Sequence, residues 1–223
     1  MRVDKAIEIA EQMKLWMETE ENYDVAYLKY TIEKYKTKHS INMVVLDYIE
    51  ATPALLAEGA QQSKVATRID TILLTLSAEL KTMARHYKVA MIAYTQVSDN
   101  ARRDETIRDA SAIAGAKSIQ NKADFGMVVF EPTTKELEKV QPIIESQQGF
   151  CPVPNLIYHI YKVRKGKIKS CKVFVHQDLS VMRMVDCFVT NNKYEQINVD
   201  RKKIVRVEEE SLIPAHQQVE MPF

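Results

Sequence analysis

An α/β fold, with a mainly parallel sheet flanked by helices and a C-terminal antiparallel hairpin, is the class that three features of the sequence predict. Short apolar runs at 43–46 (MVVL), 89–95 (VAMIAYT) and 125–130 (FGMVVF) alternate with stretches of helical periodicity. That alternation is the pattern of strands buried on both faces beneath crossover helices. Two of the runs end on a polar side chain, Asp47 and Gln96. The C-terminal half then changes character: NLIYHIYKVRKGKIKSCKVFVHQ reads as two strands folding back around Lys165 and Gly166, and VMRMVDCF can add a third.

The helices follow from spacing. KAIEIAEQMKLWM (5–17) places Ala6, Ile9, Ala10 and Met13 on one face, a helix running into an extended piece near Trp16. Asp24 stands where an N-cap would precede VAYLKYTIEKYKTKH. From Ser63 to Tyr87, apolar residues at Val65, Ile69, Ile72, Leu73, Leu76, Leu80, Met83, Ala84 and Tyr87 keep the helical period. The segment 132–155 reads as an excursion between two core strands, and after about Asp200 the chain is charged and poor in large apolar residues. We therefore expect one domain over 1–200 and a flexible or partner-docking tail over 201–223.

Composition narrows the chemistry. With 223 residues, 46% of them hydrophobic, the chain can bury one sizeable core, and a net charge of +1 leaves any affinity for nucleic acid to local patches. The three cysteines, Cys151, Cys171 and Cys187, form no C-x-x-C pair, and their odd number speaks for a reducing cytoplasm rather than a disulfide framework. No secretory leader and no apolar stretch of membrane-spanning length is present, so no membrane partner is expected. The five histidines are scattered without metal-ligand spacing.

In a parallel sheet, strand C-termini gather at one edge, where ligands bind. A carboxylate there, Asp47, can hold Mg²⁺ directly or through water, because that hard cation takes oxygen ligands and shares them with phosphates. An apolar strand running into Asp is what a Walker B element needs, and the Gln96 amide can sense a phosphate or orient water. Plainer readings stand beside these: Asp47 as cap of the next helix, Gln96 as an ordinary loop polar residue. The basic hairpin carries Lys162, Arg164, Lys165, Lys167, Lys169 and Lys172. Such a run is a solvated, edge-protecting face or, with Lys162 and Arg164 two residues apart on one strand face, a polyanion contact. An arginine fork supplied to a neighbouring subunit's γ-phosphate would be a finger in trans.

The order of MVVLDYIE, a long helix, VAMIAYTQ, a loop closing with AGAKSIQNKADFGMVVF, and IYKVRKG resembles the RecA-like C-terminal domain of DnaB-type replicative helicases, superfamily 4. That family shows an apolar strand into D-Y-L-Q, a strand into S-Q-L, a loop like L-R-x-S-G-x-I-E-Q-D-A-D before a further strand, and a K-x-R-N-G hairpin. The resemblance covers about residues 1–190. It implies that Asp47 is the Walker B Mg²⁺ ligand and Gln96 the glutamine coupled to the γ-phosphate, with Glu50 in place of the D-Y-L-Q glutamine. It implies that Lys162 and Arg164 are the catalytic basic pair inserted into the neighbouring subunit's ATP site. Residues Ile113 to Asp124 would track single-stranded DNA in a hexamer's channel. Ala114 stands where the DNA-contacting Arg is usual, beside Gly115, and Lys117 can supply the charge instead.

The resemblance implies ATP and Mg²⁺ as cofactors. The partners it implies are single-stranded DNA, further copies of the chain in a homo-hexamer, and a primase or helicase loader. Yet G-x-x-x-x-G-K-S/T occurs nowhere, the catalytic-base glutamate is missing with it, and Lys165 replaces the Asn of the hairpin motif. We therefore expect Met1 to lie just downstream of the P-loop, the chain alone not to turn over ATP, and a P-loop-containing N-terminal portion to be a further partner. Two other readings are a non-catalytic RecA-like regulator or decayed remnant of a helicase, and another RecA-like ATPase such as a recombinase or clock-type protein.

Overall fold

Asp24 sets the first long helix: its Oδ1 accepts from the Tyr27 amide at 2.7 Å, and α1 runs Val25–His39. The computed structural model describes residues 4–198 apart from 6, 9–11, 63–67, 99–107, 109, 114–115, 148–151 and 166–169. Residues 4, 5, 7, 8 and 12 are helical, and from residue 14 the chain is irregular, as the spacing predicts. There Trp16 stacks on His39 with ring centroids 4.3 Å apart, and Glu18 accepts from Lys34 and Tyr35, so this segment lies along the C-terminal half of α1.

β1 (Met43–Leu46) and β2 (Ala90–Ala93) pair in parallel, with Met43 opposite Ala90 and Leu46 opposite Ala93. Between them lie α2 (Pro53–Gln62) and α3 (Ile69–His86). The helix over Pro53–Gln62 has no counterpart in the sequence reading, and α3 starts at Ile69, so Val65 lies outside the described residues. α3 buries Ile72, Leu73, Leu76, Leu80 and Met83 along one stripe, and the Ser77 hydroxyl on that stripe is satisfied by the Leu73 carbonyl at 2.7 Å. Tyr23, Val25, Ile32, Ile49 and Leu55 close the same core, with Val44, Leu46 and Met91 packed on it.

A short 3₁₀ turn (Ala110–Ala112) and α4 (Ala116–Lys122) lead into β3 (Phe125–Phe130), whose bounds coincide with the predicted run. β3, β4 (Leu156–Val163), β5 (Cys171–Asp178) and β6 (Arg183–Thr190) form a second sheet in that order, each pair antiparallel. The hairpin and its third strand are as expected. The mainly parallel sheet is not: among the described residues, parallel pairing is confined to β1 and β2. A continuous apolar run marks a strand with apolar residues on both faces, and says nothing about its direction.

The 132–155 excursion contains α5 (Thr134–Ser146), which returns the chain so that β4 runs antiparallel to β3. Its start is a capping box: the Glu136 amide donates to the Thr133 hydroxyl, and the Thr133 amide donates to the Glu136 carboxylate. Val140 of α5 packs on Ile157, Phe174 and Phe188, and the two Phe rings stack at 4.7 Å.

Beside this apolar patch lies a buried charged cluster. Tyr194 donates to Glu136 at 2.8 Å, Lys172 donates to the Tyr194 hydroxyl at 2.5 Å, and Arg108 approaches Glu136 at 3.8 Å. Burial alone would raise the Glu136 carboxyl, but the Thr133 amide, the Tyr194 hydroxyl and the Arg108 and Lys172 charges outweigh it and hold it below the usual glutamate range. Burial, reinforced by Glu136, pushes the Tyr194 phenol upward. Lys172 is therefore a core residue and leaves the set of exposed hairpin cations; a charge count along a strand does not distinguish its two faces.

The face of the sheets away from the cores is apolar and open. Met43, Val45, Ile92, Tyr94, Phe125, Met127 and Val129 are each between 40% and 55% exposed. A patch of that kind marks a surface that another polypeptide covers. The 223-residue chain on its own should sediment as dimers or larger species at micromolar concentration. A monodisperse monomer with a sharp, reversible thermal transition would contradict this. A second expectation concerns Glu136. Because its folded pKa is depressed, its stabilisation is present at neutral pH and fades as pH falls below the ordinary range near ~4.3. Glu136→Gln should cost on the order of 3 kcal/mol at pH 7, and denaturant melts of variant and parent should converge below about pH 3.

Candidate functional site

Asp47 follows β1 directly, is exposed, and sits beside the end of β2: the Tyr94 amide donates to the Leu46 carbonyl at 3.0 Å, and the Ile49 amide to the Tyr94 carbonyl at 2.8 Å. The peptide bond between Asp47 and Tyr48 is cis. Asp47 does not cap the next helix. α2 begins at Pro53, where the Thr52 hydroxyl accepts from the Leu55 amide at 3.2 Å. The helix-cap reading is thereby removed, and the carboxylate is left facing solvent at the C-terminal edge of the parallel pair.

The loop behind Asp47 is held from within. The Tyr23 hydroxyl donates to the Tyr48 carbonyl at 2.9 Å and accepts from the Glu50 amide at 3.4 Å, while Thr52 donates to the Tyr23 carbonyl at 2.6 Å. Tyr23 is 5% exposed, so this loop is braced against the main core. Glu50 is exposed on the same loop, and its carboxylate, followed by that of Asp47, raises the Tyr48 phenol. Gln96 is exposed just past β2. Asp47 and Gln96 therefore follow the C-terminal ends of two neighbouring parallel strands, with Glu50 on the loop after the first. An open carboxylate with amide and carboxylate neighbours is a donor set suited to Mg²⁺ shared with phosphates. Among the described residues, no three His, Cys, Asp or Glu side chains gather into a metal cage.

The residue after Gln96 makes a connection the sequence does not advertise. Val97 bridges to Ile113, and the Ser98 amide donates to the Ala112 carbonyl at 2.7 Å. Ile113 lies at the base of the 113–124 loop, with Ala112, Val128 and Val97 in one small apolar cluster. Ala114 and Gly115 lie outside the described residues; Lys117 falls on α4, but its side chain also lies outside them.

Lys162 and Arg164 both turn toward the C-terminal end of α4. Lys162 donates to the Gln120 carbonyl, and Arg164 reaches the Asn121 carbonyl at 3.4 Å. Cations there meet the last carbonyls and the negative end of a short helix. The Arg164 amide also donates to the Asp124 carbonyl at 2.8 Å, and its guanidinium pairs with the Asp124 carboxylate at 2.9 Å. Gly126 lies opposite Lys162, and a Cβ there would meet the end of the Tyr161 ring, so a larger residue would require that ring to shift. Lys165 is described, whereas Lys167 and Lys169 lie outside the described residues. The hairpin pair thus makes its hydrogen bonds with α4 and Asp124, on another element from Asp47, Glu50 and Gln96. Lys81 and Tyr23 are neighbours of these residues that the sequence pattern does not single out, and Asp124, the end of the 113–124 stretch, also pairs with Arg164 and Lys81.

Residues 1–183 match the family model described as DnaB-like helicase C terminal domain. A relative from Bacillus subtilis (strain 168), the SPbeta prophage-derived uncharacterized protein YorI, is 32% identical over 205 residues, which are 91% of this chain and 40% of the relative. The chain thus spans well under half the length of that protein. Two solved structures share the fold at 16% identity. One, described as a DnaB-like replicative helicase and its interactions with primase, gives a TM-score of 0.58 over 80% of this chain and 38% of its own. The other, described as an ATPase domain, gives 0.61 over 82% and 58%. With a matching family model over most of its length and a RecA-fold likeness in its structure, this chain belongs to the DnaB-like helicase C-terminal domain family.

Proposed function

We propose that the chain is the part of a ring-shaped replicative DNA helicase that couples ATP turnover to 5′ to 3′ movement along single-stranded DNA. The observation that carries this reading is the Val97–Ile113 bridge. It ties the residue after Gln96 to the base of the loop assigned to DNA, so a shift at the nucleotide edge can be transmitted to the strand-contacting side. Asp47 would hold Mg²⁺ beside the phosphates, with Glu50 and Gln96 flanking it; the ion would neutralise charge on the transferring phosphoryl group. Lys162 and Arg164 would act on the ATP of the next copy in a homo-hexamer, which agrees with their position on another element from Asp47. Lys117 would contact the DNA backbone without reading sequence. The phosphate cradle is absent from these residues and would come from P-loop-bearing polypeptide outside them. A cytoplasmic setting with a primase or loader as a further partner completes the proposal.

Mixed with a P-loop-bearing helicase portion, the chain should restore DNA-stimulated ATP hydrolysis. Asp47→Asn should abolish it while leaving the far-ultraviolet circular dichroism unchanged, and Arg164→Ala should lower it by about 10³-fold or more. Lys135→Ala, an exposed change on α5, should match the parent; equal loss at Lys135 and Arg164 would refute the finger assignment. For DNA, Lys117→Ala should weaken binding alike on all sequences and flatten the slope of log affinity against log salt by about 0.7, the share of one phosphate on a single strand. A sequence-dependent change would refute a backbone contact.

A further inference from the structure

Asp124 stands between two elements that carry like charge. From α3, Lys81 donates to one carboxylate oxygen; from the end of β4, Arg164 pairs with the other at 2.9 Å. Arg85 lies one helical turn beyond Lys81 on the same face, and Lys162 sits two residues before Arg164. Partial desolvation, together with Arg85, Arg164 and Lys162, presses the Lys81 ammonium below the usual lysine range. Desolvation and Arg164 do the same to Lys162.

The arrangement has three consequences. Asp124 sits two residues past the end of α4, so the carboxylate fastens Arg164 to the end of the DNA-assigned 113–124 stretch that contains this helix. Lys81 and Arg164 share the one carboxylate while Arg85 and Lys162 add further positive charge near Lys81, a surplus that favours a second anion. And the Asp124 and Arg164 side chains are 57% and 45% exposed, open enough for exchange with an anion from solvent or from another subunit.

We propose that Asp124 is a positioning residue: an internal counter-ion that holds Arg164 and Lys81 together and releases the guanidinium when a triphosphate arrives. This rests on the reading that Arg164 engages a neighbouring copy's ATP. Before that engagement, the carboxylate occupies the place of a phosphate oxygen, keeping the guanidinium extended toward α4. Afterwards, the same carboxylate retains Lys81, and the link between Arg164 and the end of α4 loosens. Nucleotide in one subunit is thereby felt at the DNA-side helix of its neighbour.

The test uses the full chain and inorganic tripolyphosphate without magnesium, with affinity read by titration calorimetry at low salt. Asp124→Asn should bind about fivefold tighter than the parent, the effect of removing one competing charge about 4 Å away in water-like surroundings. Asp124→Glu should restore the parental affinity, and Asp124→Asn combined with Arg164→Ala should fall to the level of Arg164→Ala alone. Circular dichroism should be the same for all. If Asp124→Asn binds no tighter than the parent while Arg164→Ala still weakens binding, the counter-ion role is overturned and the phosphate reading of Arg164 survives. If Arg164→Ala binds as the parent does, both are overturned.

Discussion

The apolar stripe of α3 is the constraint on which the rest of the molecule depends. Leu76 and Met83 are 0% and 1% exposed, and with Ile72, Leu73 and Leu80 they form the floor on which the parallel pair, α1 and α2 rest. Burying side chains of this size stabilises by about 1.5–3 kcal/mol each, an upper bound given a compact unfolded chain. A single helix therefore fixes the height at which β1 and β2 end, and so where Asp47 and Gln96 meet solvent. Its flank carries Lys81 to Asp124, so the same packing also sets where Arg164 is held. The edge that carries Asp47 and Gln96 and the basic cluster at Asp124 are two outputs of one helix position.

How much of this is legible in the sequence depends on which signal each residue carries. Asp24 and β3 are readable because a cap and a bounded apolar run are local: the cap needs an acceptor three residues before an amide, and the run needs its flanks. α2 and α5 carry equally local signals that apolar spacing alone passes over. Thr52–Pro53 is a capping hydroxyl followed by the residue best suited to a first helical position, and Thr133 with Glu136 is a capping box. Lys172 is different, because its partner Glu136 lies on another element far back in the chain, and no short-range pattern announces a pairing across α5 and β5. The bridge between Val97 and Ile113 is of the same kind.

The split into a parallel pair and a separate antiparallel sheet gives the exposed apolar face its meaning. In a finished α/β layer, both faces of a parallel pair are covered. Here one face of β1 and β2 meets α3, whereas Met43, Val45 and Ile92 remain open, as do Phe125, Met127 and Val129 on β3. The chain spans 40% of the length of its prophage relative. An open apolar face of this kind is a surface suited to cover by another polypeptide.

Two acid–base clusters in one small structure show how burial decides what a charge does. Glu136 and Lys172 are 8% and 9% exposed, so removing either would strand its partner in a medium that cannot solvate it. That pair can only be structural: it fastens α5 to β5 and, through Arg108, to the segment leading toward the DNA-assigned loop. Asp124 and Arg164 are about half exposed, where water and salt already compete with the pair and its net contribution to stability is small. An ion pair of little worth to the fold is one that a stronger anion can replace without unfolding anything. Placing the fixed pair under the excursion helix and the exchangeable one between the hairpin and α4 separates the part of the structure that must stay still from the part that can respond.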